Sequence, residues 1–276
     1  HSFKKFNSRF ELIEINDIND MKNVINKYKL DVFYTLTYGG EGDIYKFNEK
    51  KIWGECKTIK HCVFDTTHNE ADHYISIADF LNKKYHTNLP VIQHMIDLPN
   101  TDEDLRNTLN IPKDAIILGR YGGFNQFDLQ IIHDAISNFL NNNLDPNVYF
   151  LFMNTNKFYE HPNIIYLEKN TDLLYKTKFI NTCDAMIHAR SDGEIFSLAI
   201  AEFSTKNKPI ITCPCGDIGD HIPILGDKAI TYNNTEELLN IFSNIKNIIT
   251  QHSDWNCYKK FTPENIMNLF SNIFKS

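Results

Sequence analysis

Residues 192–202 place two carboxylates around the start of a predicted helix. Glu194 lies in a turn, and Glu202 lies more than one helical turn further on. Ser197 is suited to cap this helix, and the free N–H groups of residues 196–198 then point out of its start. Such amides bind phosphate, while carboxylates accept protons from hydroxyl groups. The segment therefore predicts half of a site for an extended, polyhydroxylated ligand with phosphates, although an ordinary pair of solvated glutamates can have the same spacing.

A second candidate segment, residues 117–125, is an apolar strand that ends in Gly-Arg and leads into a glycine loop. In open α/β sheets, ligands gather at loops that follow the carboxyl ends of strands. Arg120 could bind a diphosphate bidentately there, and Gly122 and Gly123 would let a ligand approach the backbone closely. For Arg120 alone, pairing with a local carboxylate is an equally good interpretation.

Four further residues are candidates for contacts with a sugar or an acceptor. His68 could orient either one, although a lone histidine in a loop is more often a surface residue. Gly40 lies in a glycine loop after a predicted strand, where a simple β-turn explains it equally well. Arg190 and His188 precede Glu194, where they line the sugar pocket or lie in a solvated loop.

Composition limits the classes of function. The chain has 276 residues, 42% of them hydrophobic and 23% charged, with a formal net charge of −7. This length permits one large or two medium domains, of which we favour two. Without a block of Lys and Arg, the negative charge argues against a nucleic-acid groove. No apolar run approaches the roughly 18 residues of a membrane span, and residues 1–5 lack the apolar region of a signal peptide.

Cysteine usage bears on compartment and on metal binding. The six cysteines are scattered along an α/β-like sequence, which indicates reduced thiols in a cytosol-like compartment. Cys213 and Cys215 are too close together for redox chemistry of the CxxC type, and no second Cys/His pair completes a zinc site. We therefore expect a soluble cytoplasmic protein, either free or peripheral to a membrane, with no bound metal.

The elements that must position these residues follow an alternating pattern. Apolar, β-rich runs alternate with helical stretches, which predicts parallel sheets with crossover helices. The predicted strands are residues 12–15, 32–36, 61–64, 91–93, 115–119, 148–153, 164–167, 185–188, 209–212 and 229–232. The predicted helices are residues 20–28, 71–85, 126–142, 172–181, 198–206, 236–250 and 263–275. In this arrangement, Arg120 and Glu194 lie on the same edge of one sheet.

Together these motifs resemble a known family. Gly-Arg120 after a strand, followed by Glu194-x7-Glu202 in a Gly-Glu-x-Phe context, is similar to the C-terminal domain of retaining GT-B glycosyltransferases of family 4. The resemblance covers about residues 111–232. It implies a GT-B-like α/β fold of two Rossmann-like domains with a donor cleft between them. In that family the Arg binds the donor diphosphate, the first Glu lies by the transferred sugar, and the second Glu bonds the ribose hydroxyls.

This sequence departs from the family pattern at two places. The family usually has a Lys a few residues beyond the Gly-Arg, whereas the corresponding loop here has Asn125 and no Lys. The common Glu-Gly-Phe-Gly is Glu-Ile-Phe-Ser here, so that Ile195 and Ser197 put side chains where the family brings bare backbone to the sugar. Both departures bear on which donor is bound.

The resemblance, combined with the residue-level candidates, gives a set of predicted site residues. Catalytic roles are predicted for Glu194, Arg120 and His68. The residues predicted to bind the donor are Gly122, Gly123, Asn125, Ile195, Phe196, Ser197, Leu198 and Glu202. Arg190 and Gly40 are predicted to line the sugar pocket.

The implied activity is transfer of a sugar from a nucleoside-diphosphate sugar to a glycan, lipid or protein acceptor, with retention of configuration. It implies no cofactor and no metal. Asp102 and Asp104 match the DxD pattern of metal-dependent transferases, but they lie at a predicted helix start, where acidic residues favour the helix dipole. Two alternatives stay open: a noncatalytic nucleotide-sugar or glycan-binding module, and a sugar-nucleotide epimerase or phosphorylase.

A polar segment with two prolines, near residues 98–111, predicts a domain boundary. We expect an N-terminal acceptor-side domain at residues 1–110 and a nucleotide-sugar-binding domain at residues 111–255. A C-terminal helix at residues 256–276 is predicted to pack back toward the first domain. The first domain is short for a nucleotide-binding fold, which indicates a truncated chain or a minimal variant.

Overall fold

The computed structural model describes residues 6–43, 47, 50–68, 70–216 and 218–275. Residues 1–5, considered above for a signal peptide, lie outside the described residues. The chain divides into two compact units. The first contains the residues up to Ile92 together with those from Phe270 onward, and the second runs from Gln93 to Leu269.

The first unit contains a three-stranded parallel sheet in the order β1-β2-β3. Its strands are β1 (Val32–Thr37), β2 (Lys57–Cys62) and β3 (His73–Ser76), and its helices are α1 (Asp20–Tyr28), α2 (Lys50–Trp53) and α3 (Asp79–Tyr85). Helix α1 buries Met21 and Ile25, which pack with Trp53 of α2 in one apolar cluster. Burial of this apolar face, rather than helix propensity, is the main source of stability for such short helices.

The second unit contains a six-stranded parallel sheet in the order β11-β9-β7-β4-β5-β6. The strands are β4 (Ile116–Tyr121), β5 (Val148–Met153), β6 (Ile164–Leu167), β7 (Ala185–Ile187), β9 (Ile210–Thr212) and β11 (Ala229–Thr231). All six residues of β4 are buried, as expected for a central strand covered on both faces. The strand order reverses between the neighbouring strands β4 and β7, which is the kind of switch point where open α/β sheets bind ligands.

Helices and a small second sheet complete this unit. The helices are α4 (Gln130–Asn141), α5 (Leu173–Thr182), α6 (Leu198–Thr205), α7 (His221–Leu225), α8 (Thr235–Ser243) and α9 (Ile245–Ile248), with a 3-10 turn at Gly226–Lys228. Strands β8 (Gly193–Glu194) and β10 (Ile218–Gly219) pair in parallel as a separate two-stranded sheet. The last helix, α10 (Pro263–Lys275), matches its predicted bounds.

The predictions for the first unit were partly wrong. Residues 12–15 form no strand, and Ile13 is largely exposed. The strand predicted at 61–64 is β2, which begins four residues earlier, at Lys57. The sequence pattern did not show this earlier start, because Lys60, a charged residue, is buried there and paired with Asp43. Only Val91 of the strand predicted at 91–93 forms a bridge, to Ser76.

The helix predicted at residues 71–85 is wrong in its first half. Residues His73–Ser76 form β3, which pairs in parallel with β2 from Ile59 to Cys62. Ala78 is extended, and the helix begins only at Asp79. Burial of Tyr74 and Ile75 beside β2 outweighs the local helix pattern.

Two predicted helices of the second unit differ from the observed ones. The helix predicted at 126–142 begins only at Gln130, because the Asp128 amide donates to the Ala189 carbonyl and Leu129 is extended. The helix predicted at 236–250 is divided by Asn244 into α8 and α9. Strands β5 and β6 match their predicted bounds, since long apolar runs flanked by polar residues are the clearest sequence signal.

All six cysteines are free thiols. In the described part of the chain, no helix combines the length and the apolar character needed to cross a bilayer. The predicted domain boundaries and cellular location remain predictions.

Candidate functional site

Arg120 lies at the carboxyl end of the central strand β4 and is almost completely buried. Its guanidinium donates to three neutral oxygens: Nη1 to the Asn154 carbonyl at 3.2 Å and to Thr155 Oγ1 at 2.6 Å, and Nη2 to the Gly123 carbonyl at 2.8 Å. The guanidinium also lies 5.5 Å from the centre of the Phe127 ring. These contacts fix the orientation of the cation at the end of the sheet.

Within the described part of the chain, the charge of Arg120 has no direct counter-ion. In the described residues, no carboxylate lies within ion-pair distance of its guanidinium. Burial lowers the pKa of Arg120 to about 10, while the carboxylates of Glu194 and Asp128 act in the opposite direction. Arg120 therefore remains protonated at neutral pH. A buried cation that is held only by neutral oxygens is suited to an anionic ligand.

At the two glycines after β4, a side chain would collide with neighbouring side chains. A Cβ on Gly122 would lie 2.9 Å from Arg120 Nη2, and a Cβ on Gly123 would lie 2.5 Å from Gln126 Oε1. The Gly122 carbonyl also accepts from Asn154 Nδ2 at 2.7 Å. Asn125, next in the loop, is exposed, and its Oδ1 accepts from Asn156 at 2.6 Å.

Glu194 lies in the two-residue strand β8, between a histidine and an arginine. Its Oε1 is 3.3 Å from His188 Nε2, and its Oε2 accepts from Arg190 Nη1 at 3.2 Å. Burial alone would raise the pKa of Glu194, but the hydrogen bond from His188 and the charges of His188 and Arg190 bring the pKa below its usual value. Glu194 is therefore ionised at neutral pH.

The loop that carries Arg190 is tied down rather than free in solvent. Asp128 accepts from the Ser191 amide at 2.8 Å and from the Ser191 hydroxyl at 2.7 Å. Arg190 lies between Glu194 and Asp192, whose carboxylate is 3.7 Å away. The buried Nε of Arg190 has no hydrogen-bond partner among the described residues. Arg190 thus keeps one donor available beside Glu194.

The start of helix α6 follows directly after Glu194. The amides of Ser197, Leu198 and Ala199 donate to no acceptor in the part of the chain that the structure describes. Ser197 caps the helix, its Oγ accepting from the Ile200 amide at 3.4 Å. These free amides form the phosphate-binding arrangement expected at a helix start.

The residues just before the helix are held by packing. Ile195 is buried, whereas Leu198 is about half exposed. The Phe196 ring packs edge-on against Tyr258 and Phe261, and the Tyr258 hydroxyl donates to the Phe196 carbonyl at 3.0 Å. An aromatic cluster thus positions the amides that follow.

Glu202, in α6, has both oxygens occupied by donors of the protein. Lys176 Nζ donates to Oε1 at 2.8 Å and to Oε2 at 3.0 Å, and the Tyr121 hydroxyl donates to Oε2. Burial and the adjacent Glu202 charge raise the pKa of Tyr121 well above its usual value. The predicted role of Glu202, accepting from ribose hydroxyls, would have to coexist with these two bonds and remains a prediction.

Within the second unit, the structure brings Arg120 close to Glu194, whereas Glu202 contacts the residue next to Arg120. Arg120 and Glu194 are close enough for the carboxylate to affect the pKa of the arginine, and Tyr121, the neighbour of Arg120, bonds Glu202. His68 and Gly40 belong to the first unit. There, His68 Nδ1 lies 3.0 Å from Thr67 Oγ1, and Gly40 accepts from the Asp43 amide at 3.2 Å.

No group of three His, Cys, Asp or Glu side chains that could hold a metal ion occurs among the residues described. The predicted absence of a metal stays a prediction.

Comparisons of the whole chain now bear on the fold. No protein-family model matches the sequence, and no curated protein matches it. Among solved structures, a glycosyltransferase from Rickettsia africae aligns with 99% of this chain and 86% of its own, at a TM-score of 0.69 and 14% identity. HepE of Anabaena, in complex with UDP-glucose, aligns with 100% of this chain and 90% of its own, at a TM-score of 0.71 and 13% identity.

The lipopolysaccharide outer core galactosyltransferase WaaB gives a TM-score of 0.61 at 12% identity, over 94% of this chain and 79% of its own. The chain has the GT-B fold. The predicted fold class is therefore confirmed, since parallel α/β units and glycosyltransferase neighbours agree. Membership of family 4 and the role of the E-x7-E motif remain predictions, because identities this low establish the GT-B fold alone.

Sequence reasoning missed several residues of this GT-B site. They are contacts made across strands and helices: Thr155 and Asn154 on Arg120, Lys176 and Tyr121 on Glu202, and Asp128 on the loop at Ser191. None of these contacts has a signal in the local sequence, because each joins residues that lie far apart along the chain.

Proposed function

We propose that the protein is a glycosyltransferase that moves a sugar from a nucleoside-diphosphate sugar to a glycan, lipid or protein acceptor with retention of configuration. The observation that carries the proposal is the buried, unpaired Arg120 at the switch point of a GT-B sheet, in electrostatic contact with Glu194. The free amides at the start of α6 follow Glu194 directly. The cation and the amides can bind the negatively charged diphosphate of such a donor, and the carboxylate can accept protons from the hydroxyl groups of its sugar.

The diphosphate of the donor would bind to Arg120 and to the amides of Ser197 and Leu198. Both are preorganised, the first by three hydrogen bonds and the second by the fixed helix start. During transfer, negative charge grows on the leaving nucleoside diphosphate. Preorganised donors aimed at that charge are the main way in which a protein lowers such a barrier.

The sugar would lie at Glu194. Its carboxylate is ionised and is held by His188 and Arg190, so that it can accept a hydroxyl proton or stabilise positive charge at the anomeric carbon. Gly122 and Gly123 permit close approach beside Arg120. His68 is proposed to orient the acceptor or the donor sugar, and Gly40 is proposed to line the sugar pocket. The predicted contact of Asn125 with the donor belongs to the same proposal.

The base of the donor is proposed to be uracil. One solved structure with this fold is a complex with UDP-glucose, and another of the same protein contains UDP and glucose. Uridine nucleotides are therefore the first ligands to test.

Thermal shift of the full chain with UDP, GDP, ADP and their common sugar conjugates tests this proposal. We expect one nucleotide to raise the melting temperature, and we expect Arg120→Ala to abolish that rise. Lys246→Ala is the control, because this lysine is mostly exposed and pairs, among the residues that the structure describes, with Asp145 alone. If no nucleotide raises the melting temperature of the wild-type protein, the proposal is wrong.

Transfer assays with the identified donor then separate catalysis from binding. Retention predicts a product with the anomeric configuration of the donor, read by NMR coupling constants. Donor binding without transfer to any of a panel of glycan acceptors would favour the noncatalytic module instead.

Metal independence is a further expectation of the proposal. The positive charge at the diphosphate is supplied by Arg120 and helix amides, so transfer should proceed equally in EDTA and in Mg²⁺ or Mn²⁺. Loss of activity in EDTA, with recovery on adding a divalent cation, would contradict this expectation.

A further inference from the structure

Behind Glu194 lies a row of buried polar side chains that the proposed transfer does not use directly. His188 follows strand β7, and Thr212 ends the neighbouring strand β9. The parallel pairing of Ile187 with Ile211 continues into a bond from the His188 amide to the Ile211 carbonyl at 2.8 Å. This register places His188 beside Thr212.

The row is continuous in its hydrogen-bond contacts. His188 Nδ1 lies 2.9 Å from Thr212 Oγ1, which in turn lies 3.1 Å from Nε2 of His221, the first residue of α7. Thr212 and His221 are fully buried, and 6% of His188 is exposed. The backbone of His188 is held as well, because the buried Tyr232 hydroxyl donates to its carbonyl at 2.8 Å.

The protonation of these groups determines which atom donates and which accepts in each hydrogen bond of this row. Glu194 is ionised, so His188 Nε2 must carry a proton to bond it. When His188 is neutral, its Nδ1 is then an acceptor, and the hydroxyl proton of Thr212 points at it. The Thr212 oxygen is left to accept from His221 Nε2–H. Burial, and then the nearby charge of His188, lower the pKa of His221 to about 4, so this ring is neutral at pH 7.

We propose that Thr212 and His221 are positioning residues that lock His188 as its Nε2–H tautomer against Glu194. The inference rests on the proposed function, because the proposed function gives Glu194 its role beside the sugar. Without the Thr212 hydroxyl, neutral His188 has no donor at Nδ1 and can place its proton on either nitrogen. The Nδ1–H tautomer would turn a lone pair toward the Glu194 carboxylate, which would then lose a partner and move.

The tautomer is read directly, without substrate, from a two-bond ¹H–¹⁵N correlation spectrum of the full chain labelled with [¹⁵N]histidine, at pH 8. Eleven histidines contribute, and the signals absent from His188→Gln identify the ring of interest. We expect a protonated Nε2 and an unprotonated Nδ1 in the wild-type protein. In Thr212→Val we expect a mixture of tautomers, whereas Thr212→Ser, which keeps the hydroxyl, should retain the wild-type pattern.

Thr177→Val is the matched control, since it removes another fully buried hydroxyl, one that donates to the Leu173 carbonyl in α5. It should leave the His188 signals unchanged. If Thr212→Val does not fold, His221→Phe and His221→Gln form a second pair, because only glutamine keeps a donor near the position of Nε2. Wild-type signals for His188 in Thr212→Val or His221→Phe would overturn the proposal, as would an Nδ1–H tautomer in the wild-type protein.

Kinetics separate positioning from a purely structural role. With the donor found by thermal shift, Thr212→Val should lower kcat by about tenfold with little change in KM, the loss typical of a group that orients a polar partner. Equal losses in Thr177→Val would contradict a specific role. If His188 is locked as the Nε2–H tautomer but the protein binds no nucleotide, the proposed function is wrong, whereas the positioning role of Thr212 and His221 still holds.

Discussion

At the scale of single residues, Ser197 has a backbone conformation that usually favours glycine, the residue found at this position in the pattern that the sequence resembles. Its φ of 59° lies in the left-handed region, where a glycine is unstrained and a serine is not. The serine adds an N-cap bond that glycine lacks. The Ser197 side chain, which was expected to lie where the family brings bare backbone to the sugar, therefore turns back onto the helix.

Two substitutions at Ser197 separate strain from capping. Ser197→Ala keeps the strain and loses the cap, so it should reduce the free energy of unfolding by about 1 kcal/mol. Ser197→Gly also loses the cap but relieves roughly 1 kcal/mol of strain, so its stability should be close to that of the wild-type protein. Thermal melting of the three proteins makes the comparison. Equal melting temperatures for the alanine and glycine variants would show that the backbone here is not strained.

Gly122 is a second residue whose lack of a side chain matters. In Gly122→Ala the new methyl group would approach Arg120 Nη2 to 2.9 Å and displace a guanidinium that three hydrogen bonds hold in place. Nucleotide affinity should fall by roughly tenfold, the loss expected when a charged hydrogen bond is misaligned. Titration of the nucleotide measures this loss. Gly42→Ala is the control, since a Cβ there meets nothing within 4 Å.

At the scale of elements, the long apolar strands and the helices with clear ends were predictable, and contacts at a distance decided the rest. Strands β5 and β6 follow their apolar runs. The start of β2 was predicted four residues too late because of one buried lysine, and β3 was predicted as part of a helix. The candidate site followed the same rule. Arg120 and Glu194 were located from their strand ends, but the partners of Glu202 come from β4 and α5 and have no trace in local sequence.

Helices α5 and α6 are joined by the pair of Lys176 and Glu202. Lys176→Met would leave the buried Glu202 carboxylate with Tyr121 alone, so the free energy of unfolding should fall by about 2 kcal/mol. Lys178→Met in the same helix breaks a pair with the mostly exposed Glu103, which should cost less than about 1 kcal/mol. Denaturant unfolding of both variants measures the difference. Similar losses would mean that burial of Glu202 adds nothing to this pair.

At the scale of the whole molecule, the chain contains two α/β units, each with a parallel sheet, and has the GT-B fold. Its amino acids nevertheless differ from those of its structural neighbours at nearly nine aligned positions in ten. What the neighbours share with it is the fold. Conservation of the fold at such low identity is expected where burial patterns, rather than particular side chains, specify the elements.

The buried histidine behind Glu194 should make stability of the second unit depend on pH. His221 has a folded pKa of about 4, while an unfolded histidine titrates near 6.5. Between these values the unfolded chain binds a proton that the folded chain does not, so stability is complete above about pH 6.5 and is lost as the pH falls toward 4. From pH 7 to 5 this group should lower the free energy of unfolding by roughly 2 kcal/mol, at about 1.4 kcal/mol per pH unit.

Melting followed by the fluorescence of Trp255, which lies in the same unit, measures the slope. His221→Gln should have a shallower slope; burial also lowers the pKa of His94 and His133, so part of the slope should persist. An unchanged slope in this variant would show that His221 is protonated as readily in the folded chain as in the unfolded one.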